Sequence, residues 1–247
     1  MAILEYAEAA ARAWRRVTIK EQAKIKKYFH LRPTQSGITL VSTLPFLAMR
    51  GKDVKTEAEV FRLLSAISNH YDEITQDDEK SAKDMVLELL EIEEGSRNEE
   101  ETLEYDIQAR MINHMSQDLN LAAQLKSAES IRFVASEVIL QRGPHRVDII
   151  GFNGTTLYFF ELKKDRTTKV RQVRDYVEHY SGSELFRKLM SLYPMISVPS
   201  YKEIKGVMVM RYAESSIHHR RWRALEEENR IQIIFYQNSL VFHSAAS

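Results

Sequence analysis

The stretch from Arg146 to Lys163, Arg-Val-Asp-Ile-Ile-Gly-Phe-Asn-Gly-Thr-Thr-Leu-Tyr-Phe-Phe-Glu-Leu-Lys, constrains the fold more than any other. It reads as two β-strands joined at Asn153-Gly154. Asn-Gly between β-branched and aromatic runs is a hairpin signal, because both central positions of the tight turn need positive φ. A two-residue turn there sets Phe152 opposite Thr155. Side chains alternate along each strand, so Asp148, Glu161 and Lys163 fall on one face. A one-residue slip in pairing would send Asp148 to the other face, so the expectation depends on the turn.

Two carboxylates and a lysine at the end of an apolar hairpin are costly to bury without partners. A divalent cation is one such partner. Oxygen ligands with no Cys and no His pair suit Mg²⁺ or Mn²⁺, not Zn²⁺. The alternative is a cross-strand salt-bridge set on a solvated face. Glu-x-Lys by itself does not choose between them.

The 247 residues suffice for one large or two small domains. With no cysteine, disulfides, thiol nucleophiles and Cys-ligated zinc are excluded. No apolar run reaches membrane-spanning length, and Met1–Tyr6 carries an early acid and no apolar signal core. A cytoplasmic protein with no membrane partner is expected. The zero net charge conceals an uneven distribution: +6 over residues 1–50, −11 over 51–110 and +5 over 111–247. A basic C-terminal part suits a polyanion.

Residues 3–29 have helical spacing, and Thr18-Ile-Lys-Glu21 is a capping-box pattern that starts a second helix. Lys24, Lys26 and Lys27 are phosphate candidates or simply a solvated face. Residues 31–55 carry Pro33, Gly37, Pro45 and Gly51 and read as a loop-rich connection with a short strand at Ile38–Val41. Residues 56–70 and 79–93 are amphipathic helices. The polar run Glu93–Asn98 marks a boundary, giving a smaller, mostly helical domain at 1–95 for docking or dimerisation and a second domain at 96–247.

Beyond the boundary, 99–115 is helical, with Leu103, Ile107, Met111 and Met115 on one stripe and Glu104 beside it. Strands follow at 131–140, then the hairpin, then a helix over 168–180 that places Gln172 and Tyr176 on one face. Helix continues at 184–193. Strands at 204–211, 231–236 and 240–242 flank a helix at 214–228. The alternation predicts an α/β fold with a mixed sheet.

A helix with an acid, a strand, a hairpin bearing Asp148 and Glu161-Leu-Lys163, then a helix bearing Gln172-Val-Arg-Asp-Tyr176, resembles the PD-(D/E)xK nuclease superfamily, in particular its RecB- and NucS-like branch with a Gln-x-x-x-Tyr element. The resemblance covers about residues 99–243. Val147 stands before Asp148 where the pattern often has proline, and His145 stands where a glycine is common. Residues 1–95 are not covered.

The resemblance implies a restriction-endonuclease-like mixed β-sheet flanked by helices and a metal-dependent DNA nuclease or endonuclease, a phosphodiester hydrolase. Asp148, Glu161 and the Leu162 carbonyl would ligate Mg²⁺ (or Mn²⁺). Lys163 would orient the attacking water, and Glu104 would reach the metal, with Glu100 and Glu101 as rivals. Gln172 and Tyr176 would close the pocket. Arg142, Arg146, Lys164, Arg166, Lys169, Arg171 and Arg174 would follow the DNA backbone, with helix N-terminal donors near Thr167 and Thr168. A homodimer through the N-terminal helices would serve cleavage of both strands. The cluster His218-His-Arg-Arg-Trp-Arg223 is a second basic candidate, although Trp222 there is expected to cover the sheet. The rival function is a nuclease-fold protein that binds nucleic acid or a partner without cleaving. A third is a non-nuclease α/β module in which the hairpin charges are structural.

Overall fold

A computed structural model of the chain describes residues 2–44, 47–75, 79–89, 99–116, 121–139, 146–163, 170–211, 217–236 and 242–244. The fold is mixed α/β. Contacts divide it into two compact units, Met1–Ala109 with Lys188–Pro199, and Arg110–Arg187 with Ser200–Ser247. No helix among the described residues is long and apolar enough to cross a membrane.

In the first unit, helices α1 (Ala2–Arg16), α2 (Ile19–Ile25), α3 (Glu57–Asn69), α4 (Tyr71–Ile74) and α5 (Glu79–Leu89) accompany a three-stranded antiparallel sheet. Its strands are β1 (Phe29–Pro33), β2 (Ile38–Leu44) and β3 (Leu47–Arg50), in that order. The capping box of Thr18 and Glu21 forms as read, and Thr56 with Glu59 makes another. The loop-rich reading of 31–55 is corrected. Pro33 ends β1 opposite Ile38, so its missing N–H falls at a strand terminus, and Thr34 to Gly37 makes the turn. Phe29, Leu31, Ile38 and Leu40 share a core with Ala10, Ala13 and Trp14 of α1 and Leu64 of α3.

The second unit holds a six-stranded sheet in the order β4 (Arg132–Val138), β5 (Val147–Phe152), β6 (Thr156–Lys163), β7 (Glu203–Arg211), β8 (Gln232–Tyr236), β9 (Phe242–Ser244). Strands β6, β7 and β8 run parallel, and the outer pairings are antiparallel. The mixed sheet expected from the alternation of elements is present. Helices α8 (Arg171–Ser181) and α9 (Glu184–Ser191) connect β6 to β7, and α10 (Ile217–Asn229) connects β7 to β8. Two further helices, α6 (Glu99–Ser116) and α7 (Leu121–Gln124), precede β4.

Both sheet faces are buried, so β6 is a nearly continuous apolar run, as parallel strands require. On one face Val173 of α8 and Trp222 of α10 pack on Met208, Met210, Ile233 and Phe235. Gly206 permits this approach, because a Cβ there would lie 2.6 Å from Val173 Cγ1. On the other face Met115 of α6 sits over Gly151. Trp222 is buried while Arg220, Arg221 and Arg223 are exposed, so this helix covers the sheet as expected.

Candidate active site

The hairpin turns one residue later than the Asn-Gly reading places it. Asn153 and Thr156 flank a turn centred on Gly154 and Thr155, with Gly154 at φ +99°. Asn153 Oδ1 accepts the Thr155 and Thr156 N–H groups at 3.1 and 2.8 Å, so the asparagine acts as the side-chain brace of the turn. Moving a turn by one residue advances both strands together, so the parity of pairing is kept. Phe152 pairs with Leu157 and Ile149 with Phe160. One further step sets Asp148 opposite Glu161, and Lys163 shares their face.

The paired ladder ends at Ile149 and Phe160. Beyond it the Leu162 N–H donates to Asp148 Oδ2 at 2.9 Å. An extended strand turns a residue's N–H and C=O to the same edge, which puts the Leu162 carbonyl on the Asp148 side of β6. Lys163 Nζ donates to Glu161 Oε1 at 2.5 Å, and the Tyr236 hydroxyl donates to the Lys163 carbonyl at 3.4 Å.

Glu161 is only 3 % exposed, and its Oε2 is a buried oxygen with no hydrogen-bond partner among the described residues. Desolvation and the negative charge of Asp148 push its carboxyl up to about 7, against the pull of Lys163. Glu161 is therefore a carboxylate held at the edge of ionisation. A cation beside Oε2 would complete its coordination and draw it to the charged form.

Helix α8 closes this face. Gln172 Nε2 donates to the Tyr176 hydroxyl, and Tyr176 is buried. Burial and then Glu161 raise the Tyr176 hydroxyl to about 12, with Asp148 adding to the rise. It stays protonated at neutral pH and lies within the field of both carboxylates. The i, i+4 relation read from sequence brings these two side chains together as expected.

One acid was not anticipated. The β4–β5 register, Ser136 with Ile149 and Val138 with Val147, sets Glu137 opposite Asp148. Arg146 joins them: its Nη1 lies 3.7 Å from Glu137 Oε1 and its Nε 3.9 Å from Asp148 Oδ1. Glu137 has φ +48° within a strand, a conformation uncommon for a residue with a Cβ. A single acid in the apolar run Val134-Ala-Ser-Glu-Val138 was the available signal. Its face, however, depends on the register shift between Phe133 and Ala135.

Of the other expected residues, Arg171 pairs with Asp175 at 3.7 Å and Arg174 with Glu178 at 2.8 Å along α8. Arg142, Lys164, Arg166, Lys169, Thr167 and Thr168 lie outside the described residues. Glu104 lies on α6, and its side chain and those of Glu100 and Glu101 lie outside the description, as do those of His218 and His219.

Asp148, Glu161 and a strand carbonyl form a hard oxygen donor set that fits Mg²⁺ or Mn²⁺. Among the described residues no group of three or more acids or histidines is arranged as a metal-holding cluster. Mg²⁺ typically uses one or two carboxylates and keeps several waters, so the donor set remains sufficient. Compared with protein families, curated proteins and solved structures, the chain matches none.

Proposed function

We propose that the chain is a metal-dependent nuclease with a restriction-endonuclease-like core, hydrolysing DNA phosphodiester bonds at the Asp148–Glu161–Lys163 face. The observation that carries this reading is the buried Oε2 of Glu161, without a hydrogen-bond partner among the described residues and beside a second carboxylate. Burying that oxygen beside Asp148 is a cost that the Lys163 contact at Oε1 offsets only in part.

Asp148 and Glu161 would hold Mg²⁺ or Mn²⁺, which when bound supplies Lewis-acid stabilisation of charge on the phosphoryl oxygens. The remaining roles fall to the chain. Lys163, 29 % exposed, reaches solvent beside Glu161. Once Glu161 is otherwise neutralised, its ammonium orients a water toward phosphorus and offsets the negative charge that develops there. The protonated Tyr176, held by Gln172, closes the pocket and offers a hydrogen bond to a water or phosphate oxygen. Arg146 stands half-exposed at the mouth, with Arg171 and Arg174 on α8 as further phosphate candidates.

The second reading is a nuclease-fold protein that binds nucleic acid or a partner without cleaving. The internal pairing of Glu161 with Lys163 and of Asp148 with Arg146 favours it. A cleavage assay separates the two. Wild type and Lys163→Ala would be incubated with linear duplex, circular and single-stranded DNA and with RNA, in Mg²⁺, Mn²⁺ or EDTA. Cutting of DNA that needs metal and is lost in the variant is the expected result. Folded wild type that cuts none of these substrates would shift the assignment to the binding protein.

A further inference from the structure

Resting on the metal reading above, we propose that Arg146 and Glu137 make this a one-cation centre, the Arg146 guanidinium standing where a second divalent cation would bind between Glu137 and Asp148.

Glu137, Asp148 and Glu161 occupy one level of three adjacent strands, by the two registers that flank β5. Asp148 therefore stands between Glu137 and Glu161, with a gap on each side. Paired-metal hydrolases hold their two ions about 3.5–4 Å apart.

The two gaps differ. On the Glu161 side, Lys163 engages Oε1 and leaves the buried Oε2 without a partner among the described residues. On the Glu137 side, the guanidinium lies within 4 Å of both carboxylates. Glu137 is 9 % exposed at its side chain, so its charge is held near Arg146 in a poorly hydrated place. Its left-handed backbone is a local cost retained where the carboxylate meets Arg146.

Charge balance gives the same answer. Three carboxylates against Lys163 and Arg146 leave one net negative charge. One divalent cation reverses this to one positive charge. Two, with Arg146 still in place, would leave three positive charges at one level of the sheet, and that repulsion opposes the second ion. Removing Arg146 lowers the total and opens the gap.

The test is Mn²⁺ binding to the intact chain, read by electron paramagnetic resonance and by calorimetry with no substrate present. Wild type is expected to bind one ion at this centre. Arg146→Ala is expected to bind two, and Arg146→Ala with Glu137→Gln to return to one. Arg146 is half-exposed, so its truncation leaves no core cavity. Should circular dichroism show that Arg146→Ala is unfolded, Arg146→Gln keeps the side chain's polarity without its charge and is expected to bind two. Two ions in wild type, or one in each folded Arg146 variant, overturns the proposal while leaving the metal reading intact. No Mn²⁺ bound by any of these proteins sinks the metal reading itself, and the proposal with it.

Discussion

Strand β1 reads Phe29-His-Leu-Arg32 and strand β6 reads Phe160-Glu-Leu-Lys163, the same alternation of apolar and ionisable residues in two different sheets. In both, the apolar pair is buried and the first ionisable residue is buried with it: His30 is 4 % exposed and Glu161 3 %. Their electrostatics diverge. Burial, and then the nearby Arg32, hold His30 at about 3, so it is neutral at any physiological pH and asks for no counter-charge. Glu161 is lifted by burial and Asp148 but pulled back by Lys163, and rests at about 7. Pattern alone does not make a site. Neighbours decide whether a buried group is settled in one state or poised between two, and the poised group is the one suited to exchange a proton or an ion.

Charge removal in β6 is therefore expected to appear as lost chemistry and in β1 as changed stability. The largest expected effect is Lys163→Ala, which should lower metal-dependent cleavage by about 10³-fold, as removal of a transition-state electrostatic partner does. Steady-state rates and a thermal melt on the same preparation check it. A rate unchanged within a few-fold would put β6 in the same class as β1.

The next effect lies in β1. A histidine whose folded pKa is depressed contributes stability that is present above its unfolded value near 6.5 and lost as pH falls toward 3. The first unit should therefore weaken by about 3 kcal/mol between pH 7 and pH 4, and His30→Gln should remove most of that slope. Trp14 is buried in the first unit, so urea unfolding followed by its fluorescence in a Trp222→Phe background reports on it. Parallel slopes in the two proteins would show that His30 is not the titrating group.

The two strands also differ in how far they can be read from sequence. The β5–β6 hairpin is legible because Asn153-Gly154 interrupts two apolar runs. Its face assignment survives a displaced turn because the displacement moves both strands. The β1–β3 sheet is not legible, for two reasons. Every residue of β1 and β2 is buried, which erases the alternation, and Pro33 and Gly37, normally loop punctuation, serve as a strand end and a turn. Helical spacing was enough to pair Gln172 with Tyr176, since i and i+4 meet on any α-helix. Glu137 escaped because its partner across the sheet is fixed by a register irregularity that no local propensity encodes.

A smaller effect tests the poised state of Glu161 directly. Its folded pKa is raised above the unfolded value, so its favourable contribution is complete below about 4.5 and is lost as pH rises through about 7. Without metal, Glu161→Gln should therefore stabilise the second unit by on the order of 2 kcal/mol at pH 8 and by little at pH 4. Buried Trp222 on α10 supplies the probe in a Trp14→Phe background. Saturating Mg²⁺ should reverse the order at pH 8, because an ion that binds the folded carboxylate stabilises wild type and not the variant. A variant no more stable than wild type at pH 8 in EDTA would mean that Lys163 already settles Glu161 as fully as burial settles His30.

Smallest is Tyr176→Phe. The hydroxyl accepts from Gln172 Nε2, and the ring remains to fill its buried place, so stability should fall by about 1 kcal/mol, the order of a net hydrogen bond. Cleavage should fall further, by about tenfold, if the hydroxyl also serves a water or phosphate at the acidic face, since that contact is made only with substrate and metal present. The split between the two effects carries the information. Equal losses in melting and in rate would make the Gln172–Tyr176 pair a structural brace of α8, comparable to the buried polar groups of β1. A rate loss exceeding the stability loss, seen in kcat and not in KM, would place the hydroxyl with the residues proposed to act on a bound phosphate.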